Sequence, residues 1–386
     1  MKLLALLVGL LVAASSVKAV TTAPERPFRD FFPTGVWYFW EDDASYINRH
    51  VDDLSRAKSY YKRTIKDLAD HGVNLMIANW TPRDHRLIVL DEAAKNGVKV
   101  IVHLDEMNSL INEGKSFDEM VSAAKKATAG IRNHPALAGY YLIDEPSTSP
   151  EVVQHIADAR RAVEKADPKH PGFSCLLGAY EELLKTVDYR VLLIDIYPLG
   201  VKWNGDFSGY ISELERGRRN AGDRPLWVIL QAFGKPDAWK IPTPAEMRAQ
   251  VWLALVKGAN GIVYFIYQST TGIQGEWLQG LVDMDLKPMD SRWAEIGRIN
   301  SQLKKLGPKL LKLRPADFPI PVTGENLVVS SFGDESGKPY AIVVNRDTKS
   351  AVSVKWNAAA PTDVLTGRKL GTSFTLKPGD GKLLRL

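Results

Sequence analysis

The sequence has almost no cysteine. Cys175 is the single one among 386 residues, so no disulfide can form within the chain. That excludes a disulfide-stapled scaffold, and Cys175, inside the apolar run FSCLL, reads as a small buried hydrophobe. Long apolar runs are equally scarce: beyond the N-terminal segment none reaches the length that spans a bilayer. No Lys/Arg block stands out, although the formal net charge is +5, so a nucleic-acid partner is not expected. No glycine-rich phosphate loop follows the first strand-like run, which argues against a nucleotide cofactor. The seven histidines show no paired spacing, so no metal is expected. No lysine stands at a strand end, which removes the Schiff-base route of a barrel aldolase or lyase.

What is present begins with MKLLALLVGLLVAASSVKA, residues 1–19. Lys2, the apolar run Leu3 to Ala14, and small residues at Val17 and Ala19 read as a signal peptide. Removing Lys2 and Lys18 with it leaves +3. An exported chain without disulfides fits a bacterial periplasm or medium, with no membrane association after cleavage.

Strand-like apolar runs then alternate eight times with amphipathic helical segments. The runs are TGVWYFW (34–40), VNLMIANW (73–80), VKVIVHL (98–104), LAGYYLI (137–143), GFSCLL (172–177), VLLIDIY (191–197), LWVILQA (226–232) and GIVYFIY (261–267). Continuous apolar runs suit parallel strands covered on both faces. Helix starts are well marked, with a capping box at Ser116/Glu119, another at Thr243/Glu246, and Pro150 and Pro244 at first helical positions. Eight βα repeats predict an α/β fold, a (β/α)8 TIM barrel, over 20–314. An open doubly wound sheet is the weaker alternative. Pro315, Pro319 and Pro321 mark a linker over 315–325. Residues 326–386 read as a small all-β sandwich with too little core to stand alone, so it is expected to pack on the barrel.

In such a barrel the reactive groups sit at the C-terminal ends of the strands. Those ends are rich in carboxylates and aromatics: Trp40, Glu41 and Asp42; Asn79 and Trp80; His103, Asp105 and Glu106; Asp144 and Glu145; Asp195 and Tyr197; Gln231 and Phe233; Tyr267 and Gln268, followed by Glu276 and Trp277. Rings stack on the apolar faces of sugars, and carboxyl groups supply acid and base for glycosidic cleavage. A carbohydrate substrate follows. Glu145 reads as the general acid, its proton held by the like charge of Asp144. Strict pleating would send Asp144 and Glu145 to opposite faces, so either a bulge turns both inward or Asp144 plays a supporting part. Trp40, Glu41, Trp80, Tyr197, Gln231, Tyr267, Glu276 and Trp277 are the expected substrate contacts.

The segments HPALAGYYLIDEP, DIYPL, LWVILQAFG, PTPAEMRAQVWLALVKGANGIVYF and TDVLTG…LKPGDGKLLRL together resemble the retaining (β/α)8 glycoside hydrolases of the β-galactosidase and cellulase clan, and within it a bacterial glycosidase-like group with a trailing β-sandwich. The resemblance runs from about residue 30 to the end. It implies that Glu145 is the acid/base and that Asp144 stands where the clan has an Asn. The clan's nucleophile, a Glu ending strand 7, is matched here by Gln231, an amide that cannot serve. Three explanations follow. Another carboxylate acts, with Asp195 preferred over Glu41, Asp42, Asp105, Glu106 and Glu276. Or an N-acetyl group of the substrate acts, as the Asp-Glu pair of hexosaminidases suggests. Or the protein binds glycans without cutting them.

Overall fold

The computed structural model describes residues 28–39, 54–177, 181–270 and 277–386. The signal segment and Trp40, Glu41, Asp42 and Glu276 lie outside them.

Eight parallel strands close into a barrel in chain order: β1 (Thr34–Phe39), β2 (Leu75–Asn79), β3 (Lys99–His103), β4 (Leu137–Asp144), β5 (Gly172–Leu177), β6 (Leu192–Ile196), β7 (Leu226–Gln231) and β8 (Gly261–Phe265). β8 pairs back onto β1, with Thr34 opposite Ile262. The helices around it are α1 (Leu54–Asp70), α2 (Arg86–Lys95), α3 (Asp105–Asn112), α4 (Phe117–Thr128), α5 (Pro150–Ala166), α6 (Glu181–Val187), α7 (Ser208–Ala221), α8 (Pro244–Val256) and α9 (Arg292–Leu310). The two expected capping boxes form at the starts of α4 and α8, where each hydroxyl accepts a main-chain N–H that the helix leaves unpaired.

Alternation along the strands sends one set of side chains to the barrel interior: Trp37, Ile77, Ile101, Tyr141, Phe173, Cys175, Leu193, Trp227, Ile229 and Val263 among them. The set is unusually aromatic, and glycine makes the room. A Cβ on Gly139 would lie 2.4 Å from the Phe173 ring. The interior is therefore a packed floor beneath the mouth, not a channel.

Eight short strands follow: β9 (Arg314–Ala316), β10 (Val322–Thr323), β11 (Leu327–Gly333), β12 (Pro339–Asn345), β13 (Val352–Trp356), β14 (Thr362–Asp363), β15 (Ser373–Leu376) and β16 (Gly381–Arg385). They form a five-stranded sheet, β14-β16-β12-β11-β9, and a three-stranded sheet, β10-β13-β15. β9 and β10 fall inside the segment read as a linker, where each pairs with a sandwich strand. The thin core between the sheets is Ala341, Val343, Val354, Trp356, Leu376 and Leu384. The opposite face of β12, Ile342 and Val344, merges with the core of the barrel domain. α8 fills that junction and is buried on nearly every side. A Cβ on Gly381 would lie 2.6 Å from Trp252 of α8, and Arg248 donates to the Pro378 carbonyl at 2.9 Å. The sandwich thus borrows the core it lacks from the barrel.

Candidate active site

The site is built where β4 ends. The β4–β5 register slips between Tyr141 and Ile143, so Leu142 and Ile143 both face outward and Asp144 is returned to the inner side that Tyr141 occupies. Glu145 then takes a left-handed backbone, φ 37°, a strain of about 1–3 kcal/mol for a non-glycine residue. The bulge and the strained residue together bring two successive carboxyl groups into one cavity, the outcome that strict pleating forbids. The Glu145 N–H is held by the Cys175 carbonyl at 3.2 Å.

Three carboxyl groups meet there. The Tyr141 hydroxyl donates to Asp144 Oδ1 at 2.5 Å and accepts the Cys175 N–H at 3.0 Å. Asp195, on the inward face of β6, is 2% exposed and lies within hydrogen-bonding reach of Glu145. Burial, and then the hydrogen-bonded, charged Glu145 beside it, push the Asp195 carboxyl up to about 8, while the Cys175 thiol partly offsets this. Desolvation and Glu145 raise Asp144 to about 6, against the lowering effects of the Tyr141 hydroxyl and His103. Asp195 therefore holds its proton more firmly than an ordinary carboxyl, with Glu145 in contact with it.

The cavity above this cluster has a volume of about 760 Å³. Trp37, Phe39 and Phe265 form its floor and one side, and Tyr197, Phe233, Trp239 and Leu278 the other. Tyr197 meets the Phe233 ring edge-on at 5.1 Å. Asn79, Trp80 and His103 close the β2–β3 side. Trp80 adopts φ 54° and stays 37% exposed. His103 Nδ1 sits between the Trp80 N–H, at 3.2 Å, and Asp105 Oδ1, at 2.8 Å. Behind them the buried Arg86 grips Glu106 at 3.0 and 3.2 Å. Asp105 and Glu106 therefore support the wall and do not line it.

Of the residues expected from sequence, Asp144, Glu145, Asp195, Trp80 and Tyr197 come together in the cavity. Gln231 does not. It is fully buried, and its amide accepts the Leu199 N–H at 2.8 Å and donates to the carbonyls of Leu199, Phe233 and Lys240. It locks the loops after β6 and β7 and has no atom left for a ligand. Tyr267 also turns away: it is buried, and its hydroxyl donates to Asp67 of α1 at 2.6 Å. Trp277 is 60% exposed and lies outside the cavity lining. Trp40, Glu41 and Glu276 are outside the described residues. Trp37, Phe39, Trp239 and Phe265 were missed. Strand parity signals three of them, since Trp37 and Phe39 alternate on β1 and Phe265 shares the face of Val263; Trp239 lies on a loop and carries no such signal. Cys175, read as inert filler, lines the cavity beside Asp195.

The chain thus has the architecture of a (β/α)8 barrel with a trailing β-sandwich and a carboxylate-rich cavity at the C-terminal ends of its strands. Among solved structures, it is similar to a GH42 β-galactosidase from G. stearothermophilus in a catalytic-mutant form, with TM-score 0.70 and 9% identity over 93% of this chain and 99% of that one. A β-galactosidase from Bacillus circulans sp. alkalophilus gives TM-score 0.69 and 9% identity over 91% and 98%. A family 39 glycoside hydrolase from Bacteroides cellulosilyticus WH2 gives TM-score 0.52 and 11% identity over 84% and 78%. At such identities the likeness is one of fold. No protein-family model and no curated protein sequence matches the chain.

Proposed function

We propose that the chain is an exported glycoside hydrolase that cleaves an O-glycosidic bond of an oligo- or polysaccharide, with Glu145 as the general acid. The observation that carries this reading is the gathering of Glu145, Asp144 and Asp195 in one cavity at the mouth of an aromatic-walled barrel. Glu145 stands at the exposed strand end, whereas Asp195 is buried beneath it, so the proton is delivered from Glu145. The Glu145 hydroxyl protonates the glycosidic oxygen as the bond to the anomeric carbon breaks, and the bonding pair leaves on that oxygen. Water then adds to the anomeric carbon and returns a proton to the pair. The fold likeness to β-galactosidases supports a carbohydrate substrate. Export, to the periplasm or medium, rests on Lys2 and the apolar run Leu3 to Ala14.

Asp195 was the preferred second carboxylate, as nucleophile or base, on sequence grounds. It is buried, at 2% exposure, and in contact with Glu145, whereas a second catalytic carboxyl has to face the acid across the scissile bond. We therefore assign it to holding the proton of Glu145. A second reading is favoured by Gln231: the strand that carries the clan's nucleophile ends here in a structural amide. A substrate N-acetyl oxygen would then attack, with Asp144 orienting it. The test is a panel of aryl glycosides and glycans, N-acetylhexosaminides included, given to wild type and Glu145→Gln, with the first product's anomer followed by NMR. Cleavage by wild type alone supports the assignment. Cleavage confined to N-acetylhexosaminides selects the second reading. Saccharide binding without cleavage by either protein sinks both.

A further inference from the structure

Lys235 and Arg216 also line the cavity, but the carboxyl groups cluster at one end of it. Asp144, Glu145 and Asp195 face one space, and no lysine or arginine among the described residues pairs with any of them. Arg216, on the rim, is matched to Glu213 at 2.5 Å. His103 is the basic side chain whose charge acts on Asp144, and its Nδ1 already faces Asp105 at 2.8 Å. Three carboxyl groups in one space, none of them ion-paired to a lysine or arginine, make that end of the cavity a place that favours a cation.

The unmet hydrogen bonds point the same way. Asn79 Oδ1 is buried without a donor, and Asp195 Oδ1 is buried with only the Glu145 carboxyl and the Cys175 thiol beside its side chain. Both residues are 2% exposed, and both line the cavity. Buried acceptors without donors are costly, and buried carboxylates without cations more so. Sugar hydroxyls would satisfy the hydrogen bonds and leave the charge. An ammonium group satisfies both, with three N–H donors and one positive charge.

We infer that the sugar this cavity takes carries a protonated amine, so that the preferred substrate is a glycoside of an amino sugar. This rests on the glycosidase reading. An ammonium beside Asp195 would favour its ionised form and move its proton toward the neighbouring Glu145. Substrate binding itself would then arm the acid.

The test is binding, measured by titration calorimetry or ligand-observed NMR near pH 6, of D-glucosamine and D-galactosamine beside D-glucose, D-galactose and the N-acetyl forms of the two amino sugars. At least one amine should bind about tenfold more tightly than its neutral parent, the scale of one partly screened ion pair. Asp195→Asn should erase the preference. Asp144→Asn, at an exposed strand end where folding is less at risk, should reduce it. Equal binding of amine and parent, tighter binding of the N-acetyl form, or no binding of any amine overturns the inference. Cleavage of aryl 2-amino-2-deoxy glycosides is followed in parallel. Amine binding without cleavage of any glycoside keeps the inference and sinks the hydrolase reading; cleavage of neutral glycosides without amine preference does the reverse.

Discussion

Replacing Asp195 by Asn should make the protein more stable at neutral and alkaline pH, and the size of the gain can be worked from the site. The substitution keeps the volume of a side chain that is 2% exposed and removes its ability to ionise. The Asp195 carboxyl rises from an ordinary 3.8 to about 8 on folding. At ~1.4 kcal/mol per pH unit, that caps its cost to the fold at about 6 kcal/mol above pH 8. Because part of the rise comes from interaction with the neighbouring Glu145, about 2–3 kcal/mol is the working expectation. The sign follows from the direction: the folded value lies above the unfolded one, so the favourable contribution is fully present below about pH 4 and is lost as pH rises to about 8. Wild type minus variant should therefore slope downward across that window, with the two proteins close together at its acid end. Urea unfolding midpoints from pH 4.5 to 9 measure this directly. Parallel curves would refute the reasoning, since they would mean that Asp195 ionises in the fold as readily as in the unfolded chain.

Three further outcomes are expected. Tyr141→Phe removes the hydroxyl that donates to Asp144 and accepts the Cys175 N–H; it should cost about 2–3 kcal/mol in urea unfolding and move the Asp144 titration, followed by carboxyl NMR, upward from about 6. Gln231→Glu, which puts a carboxylate at the end of β7, should gain no turnover. A carboxylate facing the carbonyls of Leu199, Phe233 and Lys240 should lower stability by about 3 kcal/mol or more, read from the same unfolding curves. Arg86→Met leaves Glu106 without its two hydrogen bonds and should cost about 3 kcal/mol by thermal unfolding.

The barrel was legible because its evidence is repeated: eight apolar runs, each with a helix start or stop behind it, leave few alternative topologies. The capping boxes at Ser116 and Thr243 were local and formed as read. The site was less legible, for reasons visible at single residues. Asp144 and Glu145 share the cavity only because of a register slip and a positive φ, and neither has a signature in residue type. Gln231 and Tyr267 stand at strand ends, as ligands would, yet their polar atoms are spent on loop carbonyls and on Asp67. Those partners are distant in sequence: 32 residues separate Gln231 from Leu199 and 200 separate Tyr267 from Asp67. The Pro-rich segment before the sandwich reads as a tether because β9 and β10 are too short to show a pattern.

The central claim is that Glu145 delivers a proton to the leaving oxygen. It is tested most directly by comparing wild type and Glu145→Gln on a series of aryl glycosides whose leaving groups differ in basicity. Acid assistance matters little when the phenol leaves easily and greatly when it does not. The variant should lose little kcat on the most activated glycoside and about 10³-fold or more on the least activated. Equal losses across the series, or a fully active variant, would contradict the assignment of Glu145.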